Sequence, residues 1–390
     1  MTEQAWIPVT GTPRVAPAVR TAASRDRRRY TVAVHGTLDG VEASWRALER
    51  GGCCTVFQSF EVFAAWARHI APARARSWHV VTVSDAGHGS IVMILPLCLR
   101  EAGGLKVIEG ADLEVSDFIA PVIAEEFKPA RGEMRELWAQ IRGLLPPADV
   151  IRISKMPAML GGVPNPLLKT GSVLPFHLSN FKTRLDTGQP PWFERIPAKV
   201  RDDLATRRRK LGKRGALEFK TAATAAEADR FFEAMVTQRA ERCRAMGRDN
   251  ILDDISYRRF YRELVRPDAA ANAGVMQALL IDNEIIATGY GFRHGSDFLM
   301  IFPTFVAAKW RNYSPGLQFF AESMRWAAGQ GFTSYDFTIG AEGFKRDFAA
   351  EAEPLFEHLS AASWRGWPAV ADGRLRCRVR QVRERVQRGR

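Results

Sequence analysis

The sequence predicts a mixed α/β (α+β) protein built as two tandem halves, each a mixed, mostly antiparallel sheet flanked by helices. Three observations predict it. The chain has 390 residues, too many for one ordinary domain and enough for two or three. Hydrophobic residues make up 46% and charged residues 25%, which is globular usage and excludes wholesale disorder. The two halves also carry nearly the same order of elements, a duplication visible in pattern although the halves share little identity.

Residues 1–29 hold six arginines but no apolar segment, so they read as a disordered basic leader rather than a secretory signal. The first domain, 30–165, opens with a strand at Tyr30–His35. Helical stretches follow at Val41–Arg50 and Ser59–His69, where Phe60, Phe63, Ala64 and Ala67 keep helical spacing. Strands are expected at Ser77–Ser84, Ser90–Arg100 and Leu105–Glu109, a helix at Ala130–Leu144 and a strand at Asp149–Ser154. The Pro- and Gly-rich stretch Met156–Thr170 reads as a linker.

The second domain, 166–370, is clearer. A strand at Leu217–Thr221 is followed by helices at Ala226–Met246 and Ser256–Val265. Three strands joined by hairpin-length turns follow: Val275–Ile281, Glu284–Phe292 and Asp297–Phe305. After a loop, Ser314 reads as the N-cap and Pro315 as the first residue of a helix whose apolar face holds Leu317, Phe320, Ala321, Met324 and Ala328. A strand at Ser334–Thr338, a short helix at Glu342–Phe348 and a strand at Leu355–Ser363 complete it. Residues 371–390 form a basic tail.

Composition narrows the chemistry. Five scattered cysteines make no CxxC pair, and the seven histidines make no metal-ligand spacing, so neither a disulfide framework nor a metal site is expected. No apolar run reaches transmembrane length, and a cytoplasmic location follows by elimination, with the inner-membrane periphery left open. The net charge of +13 is concentrated in two patches, nine Lys/Arg within 199–220 and eight arginines against Glu384 within 374–390. Two local patches favour a phosphorylated or membrane-surface partner. The first patch reads either as a solvated surface helix or as a rim that attracts an anionic acceptor, with Arg207 and Lys210 as its candidate contacts. It has no interleaved aromatics or nucleic-acid motif, so nucleic acid is disfavoured. The tail reads either as an amphipathic segment touching anionic lipid or as a solubilising extension.

The stretch Trp310–Leu317 lies where a strand passes into a helix, and the first turn of a helix offers free N–H groups and partial positive charge. Gly316 leaves room for a diphosphate at that backbone, and Arg311 adds a cation. A plain capped helix is the competing reading. Placed in its β-α-α-β-β-β-α-β order, this turn resembles the coenzyme A site of the GNAT acyltransferases. Residues 335–348, from Tyr335 through Asp336, Gly340, Glu342, Phe344 and Lys345 to Phe348, are similar to the signature of the CelD/BcsL-type branch, acetyltransferases named from cellulose biosynthesis and related to the Fem peptidoglycan aminoacyltransferases. That branch also has a Ser-Pro-Gly turn, a basic helix before the second half and an Arg on the next helix, matched by Arg239. Phe344 stands where the branch usually has Tyr, and Glu342 is one residue off its commonest spacing.

The resemblance implies acetyl-CoA or another acyl-CoA as donor substrate, with no metal. Arg311, Asn312, Ser314, Pro315, Gly316 and Leu317 would hold its diphosphate and pantetheine arm, and backbone N–H groups near Phe305 and Val306 its thioester carbonyl. Asp336 would orient or deprotonate an amine, and Lys345 would pair with Asp336 or meet a substrate phosphate. A buried Asp–Lys pair that locks the last helix to the sheet is the alternative. The implied function is N-acylation of a small-molecule or lipid-linked sugar acceptor, an amino sugar or envelope or exopolysaccharide precursor, with the first half a degenerate copy. A Fem-type transferase using aminoacyl-tRNA and a non-catalytic scaffold of a polysaccharide synthase are the alternatives.

Overall fold

The computed structural model describes residues 20–21, 29–185, 191–266, 273–306 and 309–388. The leader expected at 1–29 lies almost wholly outside the described residues. The chain divides into two compact units, one of residues 1–177 with 354–390, the other of residues 178–353. The division differs from the expected 165/166 and 370/371 boundaries because the last strand, expected in the second domain, pairs in the first unit.

In chain order the first unit begins with β1 (Tyr30–His35), α1 (Glu42–Gly51), α2 (Phe60–His69), β2 (Ser77–Asp85), β3 (Ile91–Ala102), β4 (Leu105–Gly110), β5 (Val122–Ala124), α3 (Arg131–Leu144) and β6 (Val150–Pro157). β1 to β4 form an antiparallel meander, and β5 pairs with β3 at Met93 and Ile94 on the same edge as β4. Among the described residues of this unit one contact is parallel and joins β4 to β6 over three residue pairs, Val107 with Val150 to Glu109 with Arg152. Beyond it the strands part, and the unit's own loop fills the gap. The Ile119 N–H donates to the Lys155 carbonyl at 3.2 Å, and Lys155 Nζ donates to Asp112 Oδ2 at 2.6 Å and to the Ser116 carbonyl at 2.7 Å. Phe118, Ile119 and Ala120 are buried there. A Cβ on Gly110 would sit 2.3 Å from Ile119 Cγ2, so the plug needs glycine at the strand end. The stretch 156–170 is no linker: Met156, Leu160 and Leu167 are buried in this unit, and Asn165 bonds the Pro157 carbonyl.

The chain enters the second unit along β7 (Val173–Arg184), whose residues from Leu178 onward belong to it, and continues with α4 (Ala198–Gly212), β8 (Leu217–Thr221), α5 (Ala225–Ala245), α6 (Ile255–Glu263), β9 (Gly274–Ile281), β10 (Glu284–His294), β11 (Asp297–Phe305), α7 (Pro315–Gly329), β12 (Ser334–Ile339) and α8 (Gly343–Asp347). β7 was not expected from the sequence. Its sheet runs β7-β12-β11-β10-β9-β8. Again, among the described residues, one contact is parallel and three pairs long, Asp297 with Ser334 to Leu299 with Asp336, and the others within this sheet are antiparallel. Phe319, Phe320 and Met324 of α7 pack with Phe298, Tyr335 and Phe337 on one face of this sheet. On the other, Tyr261 of α6 meets Tyr290 and Phe302 edge-on at ring-centroid distances of 5.2 and 4.9 Å.

β13 (Glu351–Ala361) then returns to the first unit and pairs antiparallel with β6, from Leu355 opposite Pro157 to Ala361 opposite Val150. The expected loose tail is instead helix α9 (Trp367–Arg388). Val370 and Cys377 of α9 are buried.

β13 is the only described strand flanking β6 opposite β4, so its removal exposes a long, apolar edge. A chain ended after Glu353 is expected to lose the first unit and keep the second. Limited proteolysis followed by mass spectrometry should then cut throughout 30–177 while 178–353 resists.

Candidate active site

The short parallel pairing sets up the site. Once β11 and β12 separate after Leu299 and Asp336, the last residues of β11 keep only one hydrogen-bonded neighbour, β10. Tyr290 opposes Phe302 and Gly291 opposes Met300, so Ile301 is bulged out where the strands part, a device that re-aims a strand beside a site. The Val306 N–H donates to the Ile286 carbonyl at 2.9 Å. By the alternation of an antiparallel ladder, the Phe305 N–H points the opposite way, to the open edge. Val306 was expected to share that role, but its donor is already taken by β10. Pro303 shares the direction of Phe305 and has no N–H, which fits a residue on an unpaired edge.

The notch between the strands opens into a cavity of about 520 Å³. β11 contributes Met300 to Phe305 except Phe302, β12 contributes Phe337 to Ile339, and the start of α7 contributes Ser314 to Leu317. Phe320, Phe337 and Phe344 give it an apolar floor, and Phe344 stacks on Phe320 at 4.9 Å. Arg239, Arg242, Arg248 and Arg311 also line it, against the acids Asp249 and Glu342. Arg239 and Arg242 lie over the Phe302 and Phe305 rings at 4.6 and 5.1 Å, and the Arg239 Nε donates to Asn250 Oδ1 at 3.0 Å. The cavity therefore pairs an apolar slot with a cationic mouth.

The turn into α7 differs from the expected cap. Ser314 takes a left-handed conformation, φ +49°, and its side chain caps nothing. Instead its Oγ accepts from Arg207 Nη1 at 2.8 Å, the same nitrogen donating to the Asn312 carbonyl at 3.1 Å. Arg207 also pairs with Asp203 at 2.6 Å. The neighbouring Arg214 Nε donates to the Tyr313 hydroxyl at 2.8 Å, and Gln318 Nε2 to the buried Leu204 carbonyl at 2.9 Å. Helix α4 thus acts as a clamp on the turn, and Arg207, expected to meet substrate, is spent within the protein. Asn312 gives the clamp its carbonyl and does not line the cavity; Lys210 is exposed and does not line it either. The Leu317 and Gln318 N–H groups close onto the Ser314 carbonyl, Pro315 has none, and the Gly316 N–H has no partner among the described residues. A Cβ on Gly316 would come 2.9 Å from the Phe305 ring, so glycine there lets the ring lie against the turn.

Asp336 and Lys345 do not pair with each other. Tyr335 and Phe337 face α7, so Asp336 between them faces the opposite side of the sheet. It is buried: Oδ1 accepts from the Thr338 N–H at 2.7 Å and Oδ2 from Asn180 Nδ2 at 3.0 Å. Burial pushes its carboxyl up to about 7, against the pull of Lys182. Lys182 itself is held by Asp297 at 2.7 Å. Lys345 is buried and donates to the carbonyls of Thr338, Ile339 and Gly340 at 3.2, 3.1 and 3.1 Å, with Glu342 3.0 Å away. Both charges therefore fasten one piece of backbone, residues 338–340, where Thr338 has φ +60° and Gly340 φ +120°. That piece forms one wall of the cavity. Sequence reading missed Asn180, Lys182 and Glu353, which surround Asp336, because they come from distant strands. Arg242 and Met246 were findable, since they share the helical face of Arg239.

Comparisons with known proteins agree with this geometry. Residues 198–346 match the model of the acetyltransferase (GNAT) domain family, a segment that contains every residue lining the cavity. No curated protein matches. Among solved structures, FemX superposes with a TM-score of 0.58 at 10% identity, covering 84% of this chain and 96% of that one. A tandem GNAT protein from the clavulanic acid biosynthesis pathway covers 89% and 98% at 13% identity, TM-score 0.49. The C-terminal domain of a putative lysylphosphatidylglycerol synthetase from Agrobacterium fabrum covers 84% and 93% at 12% identity, TM-score 0.49. The match at 198–346 supports an enzyme of the acyltransferase class with a GNAT-type α/β fold.

Two outcomes follow from the site. Asp336 has a folded pKa above its ordinary 3.8, so the native state holds a proton that the unfolded chain gives up. Its contribution to stability is full below about pH 4 and is lost as pH rises through about 7. Asp336→Asn, which cannot ionise, should lessen the loss of denaturation midpoint between pH 5 and pH 8 relative to wild type. Lys345→Met leaves three carbonyls without their cation, and should lower stability by about 2 kcal/mol or more in chemical denaturation.

Proposed function

We propose that the protein is an acyl-CoA-dependent N-acyltransferase and that the second unit carries the reaction. The observation that carries this reading is the notch where β11 and β12 part, with an unpaired strand edge on one side, a helix start on the other and arginines at its mouth. A thioester donor with a diphosphate and a long amide-bearing arm fits each part. The arginines and the free Gly316 N–H suit the phosphates. The apolar floor and the open edge of β11 suit the arm, whose amides can pair with main-chain groups as a strand would.

In this reading the amine of the acceptor attacks the thioester carbon and the carbonyl oxygen gains negative charge. The Phe305 N–H, aimed at the open edge, is the donor for that oxyanion. Collapse of the tetrahedral intermediate breaks the carbon–sulfur bond; the thiolate takes a proton and the new amide nitrogen loses one. Asp336 and Lys345 serve as positioning residues, holding the 338–340 wall at the height of the reacting carbon. The acceptor is a small-molecule or lipid-linked amino sugar, or another envelope or exopolysaccharide precursor, as the CelD/BcsL resemblance implies. The FemX likeness favours one second reading, a Fem-type transfer from aminoacyl-tRNA, in which the same notch would take a charged RNA end.

Calorimetry with acetyl-CoA and a longer acyl-CoA tests the donor. Micromolar binding is expected, weakened roughly tenfold or more in Arg242→Glu/Arg311→Glu, two exposed cavity arginines whose reversal leaves the fold intact. No binding of either thioester, with binding of aminoacyl-tRNA instead, overturns the reading in favour of the second. Arg207→Ala should raise the KM for the acyl donor about five- to tenfold with little change in kcat, because it loosens the turn rather than the reacting centre.

A further inference from the structure

The C-terminal helix α9 carries a feature the catalytic reading does not use. Its inner side is seated on the first unit through Val370 and Cys377, with Gly373 against Leu359 and the Arg380 guanidinium on the Pro175 carbonyl at 3.0 Å. Trp367 opens the helix on the flank that also carries Arg374 and Arg378, and on the side opposite Val370 and Cys377 lies a second apolar stripe, Leu375, Val379 and Val382, at helical spacing. Trp367, Leu375, Val379 and Val382 are 62%, 61%, 43% and 59% exposed, and Trp364 just before the helix is 82% exposed. Arg374 and Arg378 flank the stripe on one side, Arg376 and Arg383 on the other, and all four are exposed. Of these, Arg376 is paired with Asp372, itself exposed.

An exposed apolar stripe between two rows of arginine, with two exposed tryptophans at the start of a docked helix, matches an anionic bilayer surface. Apolar side chains enter the acyl boundary, tryptophan settles at the headgroup level, and the arginines meet lipid phosphates. A second copy of this chain fits less well, since its own arginine rows would face these. No described helix is long and apolar enough to cross a membrane, so the contact is interfacial. We infer that α9 docks the protein flat on membranes rich in anionic phospholipid. This inference is independent of the acyltransferase reading.

Co-sedimentation of the full chain with vesicles tests it, comparing phosphatidylcholine alone with phosphatidylcholine containing about a third phosphatidylglycerol. Binding to the anionic vesicles, weakened by high salt and absent from neutral ones, is expected. Leu375→Glu/Val379→Glu should lower partitioning roughly tenfold or more, with the thermal transition unchanged because both positions are exposed. Equal partitioning of that variant overturns the proposal, as does equal binding to neutral vesicles. So does a failure to bind either vesicle, including the case where sedimentation velocity shows a dimer that the variant dissolves.

Discussion

A parallel pair of strands held for three residues and then forced apart leaves main-chain groups on both inner edges without partners. Leaving such groups buried and unpaired costs about 1–3 kcal/mol each, so every notch of this kind must be filled by water, by ligand or by the protein itself. Two of them occur among the described residues, and they are resolved differently. In the first unit, residues 111–120 fold back into the gap, the Ile119 N–H takes the Lys155 carbonyl, and the Lys155–Asp112 ion pair fastens the plug. In the second unit the notch stays open and is lined by arginine. One duplicated geometry is thus closed by the protein itself in one unit and left open in the other.

The devices that keep the second notch open are charged and buried, which is unusual for groups that do not touch one another. Asp336 and Lys345 act on the same short backbone stretch, one accepting an N–H and the other donating to three carbonyls. Neither needs the other to be neutralised: Asp336 meets its cost partly by holding a proton near neutral pH, and Lys345 by its carbonyl cage and Glu342. On the other side, α4 braces the turn into α7 through Arg207, Arg214 and Gln318. Two cations of the patch that reads as ligand-facing, Arg207 and Arg214, therefore serve as a clamp.

Periodicity and turn chemistry made much of the second unit legible. Hairpin turns at Asp282–Asn283 and Gly295 delimited β9 to β11, and Pro315 marked the first residue of α7. Other features were hidden for identifiable reasons. β7 carries Pro175 and two lysine or arginine residues and follows a Pro/Gly-rich stretch, so its alternation was masked by its neighbours. The true partner of Ser314 is a guanidinium 107 residues away in sequence, which no local capping rule anticipates. The Asp336–Lys345 pair was a natural expectation from proximity in sequence. It failed because the strand and the helix that bear them direct their side chains at the same backbone rather than at each other.

The route of the chain through its two sheets has a consequence for biosynthesis. The second unit is one uninterrupted stretch, 178–353, whereas the first waits for residues 354–361 to supply the strand that flanks β6. Domains commonly fold in the order in which they leave the ribosome. Here the half made first is the half completed last, and β6 stands as a bare, aggregation-prone edge throughout synthesis of the second unit. The nascent chain is then exposed to its greatest hazard in the final stretch of translation, when a pause or a premature stop would cost the protein most.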